Sequence, residues 1–82
     1  MNRPLPPDPE QMNGTRSSWA GAAIEAFILR TRTDREDAMA DLLCDLMHYC
    51  DRRDLLFHQE LTRAYGYYFE ETDGSKSTFP DH

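Results

Sequence analysis

Between residues 34 and 51 the chain sets its apolar side chains at the spacing of one helix face. No other segment constrains the fold as much. Met39, Leu42, Leu43, Leu46, Tyr49 and Cys50 recur at intervals of three and four, the period of an α-helix with one covered side. Covering such a face contributes ~1.5–3 kcal/mol for each large side chain. Thr33 and Glu36 read as a capping box, in which hydroxyl and carboxylate satisfy each other's backbone donors. Asp34, Glu36 and Asp37 stand in the first expected turn, and Arg52 and Arg53 follow the last. Both placements suit the helix dipole.

The opposite side of this helix is acidic. At about 100° per residue, Asp37, Asp41, Asp45, His48 and Arg52 fall within a sector of about 80°. Two readings follow. The strip is a solvated face, or it is a surface that meets something. Asp45 and His48 have the i, i+3 spacing of helix-borne metal ligands, with Asp41 one turn behind. Those three residues are the only candidate metal set, and solvation explains them more simply. We therefore expect no metal and no cofactor.

A second helix is expected over residues 18–30, with Ser17 or Ser18 as its cap. Trp19, Ala20, Ala22, Ala23, Ile24, Ala26, Phe27, Ile28 and Leu29 cover nearly its whole circumference, and Glu25 is its single internal charge. A helix apolar all round is normally covered all round. In so small a chain one side would be left open, so Trp19, Ala23, Ile24, Phe27 and Ile28 are expected to form an oligomer interface. A third helix is expected over residues 57–70, with Phe57, Leu61, Ala64, Tyr65 and Tyr68 on one face. Nothing convincing caps its start. The link at residues 51–56 is short, so helices two and three should pack as an antiparallel hairpin.

The flanks differ from this centre. Residues 1–16 hold Pro4, Pro6, Pro7, Pro9 and Gly14 but few large apolar side chains, which reads as a disordered arm. Residues 72–82 read as a flexible tail, leaving a helical domain at 17–71. The expected fold is all-α: a three-helix unit with loose ends. A folded part of roughly 55 residues is marginal by its surface-to-volume ratio. Cys44 and Cys50 point about 120° apart on one helix, so no disulfide staples it. They fit two free thiols in a reducing compartment. A homodimer is the expected source of further stability.

Charge and hydropathy bound the function. The net charge is −6, from 15 acidic and 9 basic residues. It is concentrated in residues 34–82, because residues 1–33 carry a net +1. An acidic surface repels phosphate and argues against direct nucleic-acid binding. The one basic patch, Arg30, Arg32 and Arg35, is diluted by Asp34, Glu36 and Asp37. No apolar region follows Met1 as in a secretory signal. The longest apolar stretch, at about eleven residues, is far short of a membrane span. A cytoplasmic protein with no membrane contact is expected.

Residues 37–68, with Asp41-Leu42-Leu43-Cys44-Asp45-Leu46-Met47-His48-Tyr49-Cys50-Asp51, then Phe57, Leu61, Ala64 and Tyr67-Tyr68, resemble a group of small uncharacterised helical proteins. That group is carried by bacterial phages, plasmids and integrated elements. Its members usually have a glycine between the helices and an aspartate before the phenylalanine. Here Asp54 and Leu56 stand in those places. The resemblance implies the hairpin and a mobile-element origin, and no activity.

No catalytic set emerges. Glu36, Asp37 and Asp41 resemble half of the acidic cluster of MazG-like nucleotide pyrophosphohydrolases. The other half, a Glu-x-x-Asp on a later helix, is lacking: Arg63 follows Glu60 at that spacing, and Asp73 follows Glu70 only beyond the expected helix end. His48 and His58 have no serine or cysteine nucleophile at an evident spacing. We expect a non-enzymatic, acidic, protein-binding protein of a mobile genetic element. Its class would include anti-CRISPR-like inhibitors of host defence that occupy a basic surface on their target. Asp37, Asp41, Asp45, Glu70, Glu71 and the exposed ring of Tyr67 are the expected contact residues. The alternative is a divalent-metal-binding helical bundle or a MazG-like relative.

Overall fold

A turn built on Asp8 starts the first helix. In the computed structural model, which describes residues 3–75, the Gln11 amide donates to the Asp8 carbonyl (3.0 Å). Aspartate followed by Pro9 suits the first two positions of such a turn. The Asp8 carboxylate then accepts the amides of Met12 (3.1 Å) and Asn13 (3.2 Å), donors that have no partner within the helix. Helix α1 consequently spans Asn13–Thr31. It begins five residues before the expected start, and neither Ser17 nor Ser18 caps it. The expected arm over residues 1–16 is correspondingly shortened, and its residues 1 and 2 lie outside the described part.

Helix α2 is Ala38–Arg52 and helix α3 is Phe57–Glu71. The capping box at Thr33 does not form. Residues 35–37 make a turn in which the Asp37 amide donates to the Asp34 carbonyl (3.0 Å) and the Ala38 amide to that of Arg35 (3.3 Å). The Thr33 hydroxyl instead donates to the Asp41 carboxylate. Helix α2 therefore starts four residues later than its charge pattern suggests. As expected, no side chain caps α3. Of the expected tail, residues 76–82 lie outside the described part.

Both helix ends that lead into loops turn on a left-handed residue. Arg32, at φ 62°, donates its amide to the Ile28 carbonyl (2.8 Å) and closes α1. Asp54, at φ 61°, follows α2, and the Leu55 amide reaches back to the Cys50 carbonyl (2.9 Å). That six-to-one bond is the closing bond of a Schellman motif. The left-handed region favours glycine. Asp54 takes it, and aspartate is among the residues that tolerate it.

The three helices are all-α, with no strand among the described residues. Helix α1 contacts α2, and α2 contacts α3. The end of α3 returns to the start of α1, where Asn13 Nδ2 donates to the Glu71 carbonyl (2.8 Å) and Arg16 Nε pairs with the Glu71 carboxylate (3.4 Å). This circuit covers little. Only Ala38 (1% exposed) and Cys50 (6%) are buried among the described residues, and both lie on α2. The radius of gyration is 15.6 Å, against about 12 Å for a compact chain of this length. Helix α1 has no buried residue: Ile24, Phe27 and Ile28 are half-covered, while Trp19 is 63% and Leu29 76% exposed. Its apolar circumference reflects composition, since neighbours reach only one side of it.

Candidate functional site

The acidic strip of α2 borders the end of α1 and the connection that follows it. Asp41 and Asp45 lie within about 60° of the buried Ala38 around the helix axis, at the border of the covered face and beside the end of α1. Asp37 is the residue before the helix, and its carbonyl accepts the Asp41 amide (2.9 Å). Phe27 and Thr31 of α1, Thr33 of the connection, and Asp41, Cys44 and Asp45 of α2 line an open cleft of about 330 Å³. Thr33 fixes the Asp41 side chain in this cleft by the hydroxyl bond that displaced the expected cap.

The ion pairs lie elsewhere. Arg16 binds Glu10 (3.0 Å) and Glu71 (3.4 Å), and Arg63 binds Glu60 (3.1 Å). Arg35 binds Glu25 through both terminal guanidinium nitrogens, Nη2 at 3.1 Å. The Arg35 guanidinium holds the Glu25 carboxyl below the usual carboxylate range, and Glu25 in turn raises Arg35. Among the described residues no cation pairs with Asp37, Asp41 or Asp45. Of the basic patch, Arg35 is committed to Glu25, while Arg30 and Arg32 have no carboxylate partner among the described residues.

The other expected contact residues divide. Glu70 is exposed on α3. Glu71 is half-buried and holds α1 to α3 through Arg16 and Asn13, so it is a structural residue rather than a free contact. Tyr67 is half exposed, and its hydroxyl accepts a bond from Arg63 Nη2 (3.1 Å). This bond is the first cause of the upward shift of Arg63. No α3 residue lines the cleft of Asp41 and Asp45. The structure therefore brings together the α2 strip and separates it from the α3 candidates.

Other sites were legible to different degrees. No group of three or more His, Cys, Asp and Glu side chains among the described residues is arranged to hold a metal ion, so Asp41, Asp45 and His48 do not make a ligand set. Cys50 is buried and Cys44 exposed, both as free thiols. No helix among the described residues is long and apolar enough to cross a membrane. A cleft of about 480 Å³ between the arm and the meeting point of α1 and α3, lined by Leu5, Pro6, Asn13, Arg16 and Tyr68 among others, was not foreseen. Its one advance signal was the Asp8-Pro9 turn that brings the arm back. No protein family, curated protein or solved structure matches the chain.

Proposed function

We propose that this chain is a non-enzymatic protein-binding protein that presents the α2 strip to a basic surface of its target. One observation carries the reading: Asp41 and Asp45 on α2, and Asp37 just before it, have no cation paired to them among the described residues, while Arg16, Arg35 and Arg63 pair with other carboxylates. Carboxylates left in this state gain most from arginines and lysines brought by a partner, through charge-assisted hydrogen bonds. Asp41, held by Thr33, is already oriented and loses less freedom on binding. The resemblance of residues 37–68 to mobile-element proteins suggests the concrete form, an anti-CRISPR-like inhibitor of host defence that occupies a nucleic-acid-binding surface. Arg30 and Arg32, beside the strip, would then set the limit of the contact.

The test is capture of a partner from the native host by the wild-type chain and by Asp41→Lys/Asp45→Lys. The wild type should retain a partner whose binding weakens as salt is raised, and the reversed variant should lose it. Undiminished capture by the reversed variant would remove the acidic strip from the interaction.

A further inference from the structure

The acidic strip leaves the arm before α1 without a role. That arm carries Arg3-Pro4-Leu5-Pro6-Pro7 directly ahead of the Asp8-Pro9 turn. Proline fixes its own φ at about −65° and pushes the residue before it into extended backbone. Pro4, Pro6 and Pro7 therefore hold Arg3, Leu5 and Pro6 extended, as in a polyproline II helix. Residues 3–8 accordingly belong to no helix, strand or turn. No hydrogen bond among the described residues involves residues 3–7. The segment ends where the Asp8 carboxylate accepts the Met12 and Asn13 amides, so it leaves the start of α1 from a fixed point.

We infer that residues 3–7 are a docking segment for a protein domain that reads polyproline II helices through an aromatic-lined groove with a carboxylate beside it. At about three residues per turn Pro4 stands over Pro7, the Pro-x-x-Pro spacing that such grooves take, and Leu5 lies on a neighbouring edge. Leu5 is 90% exposed, and Arg3, Pro4, Pro6 and Pro7 are exposed with it. Leu5 and Pro6 overhang the cleft beside Tyr68 without being covered by it. Arg3 has no carboxylate partner among the described residues, unlike Arg16, Arg35 and Arg63.

The chemistry of the segment selects this partner. Pro4, Pro6 and Pro7 have no N–H to donate, so residues 3–7 cannot add a strand to the edge of a sheet. A segment whose backbone is already set by proline loses little freedom on binding, so contact with aromatic rings has less ordering to offset. Its single charge is positive. A carboxylate beside the groove attracts Arg3, whereas a basic target drawn to Asp41 and Asp45 repels it. The two contacts are separate, and this one does not rest on the acidic strip.

Calorimetric titration of the full chain into a panel of purified SH3 domains, whose grooves have this chemistry, tests the inference. Saturable binding is expected to domains with carboxylates flanking the groove. Pro4→Ala/Pro7→Ala and Arg3→Glu should each weaken it at least about tenfold. Their helical circular-dichroism signal should match the wild type, because residues 3–7 make no hydrogen bond to the helices. Asp41→Lys/Asp45→Lys should bind these domains as the wild type does, whatever becomes of the strip's own partner. No binding across the panel overturns the inference. So does binding that either the proline variant or the arginine variant leaves intact, or that Asp41→Lys/Asp45→Lys abolishes.

Discussion

Helices α1 and α2 carry similar amounts of apolar side chain and use them in opposite ways. Helix α1 is apolar on nearly every side and has no buried residue; α2 is sharply two-faced and holds both buried residues, Ala38 and Cys50. Burial follows from which neighbours reach a face, and an apolar side that meets none contributes nothing to the monomer. The contrast extends to the helix ends. The α1 start at Asn13 is capped from five residues upstream by Asp8, whereas the α2 start, whose sequence advertises a box, has no side-chain cap.

The faces give the largest expected difference. At matched chain concentration, Cys50→Asp places an unpaired carboxylate on a buried α2 position and should cost about 3 kcal/mol in denaturant unfolding. Ala26→Asp, on the outward side of α1, should cost less than about 1 kcal/mol, chiefly through helix propensity. Equal losses would erase the contrast and mean that the outward side of α1 is also covered in solution.

The starts come next. Asp8→Ala removes the acceptor for the Met12 and Asn13 amides and should destabilise the chain by about 1 kcal/mol. Thr33→Ala removes only the exposed bond to Asp41 and should change stability by no more than about 0.5 kcal/mol. Should Thr33→Ala prove the costlier of the two, the box would be formed in solution and α2 would begin before Ala38.

The ends differ least. Arg32→Gly relieves a left-handed arginine after α1 and should stabilise by roughly 0.5–1 kcal/mol. Asp54→Gly, after α2, should gain about half as much, because aspartate already tolerates this conformation. The ranking of the two variants in one set of melting curves is the measurement, and a larger gain at Asp54 would sharpen the comparison in the opposite sense.

Legibility was uneven along the chain for a physical reason. The existence of three helices, the start of α3 at Phe57 and the division of α2 into an apolar and an acidic side all follow from periodicity, a local property. Residues 13–18 are polar or small and carry no such signal, so the early start of α1 could not be read from them. Thr33 was a good cap by type, yet its hydroxyl found Asp41, a partner eight residues away. Within the candidate site, Asp37, Asp41 and Asp45 were legible as one strip. The commitment of Glu71 to Arg16 and Asn13 was not, because those residues lie on another helix.

The sequence by itself determined that three helices form and the angular position of each side chain about its helix axis. Tertiary structure alone decided which faces are covered. Spacing along a helix orders side chains around it and says nothing about where neighbouring helices stand. That is why α1, the most uniformly apolar segment, has no buried residue, and why the open surface of the molecule lies on α2 and α3 as well.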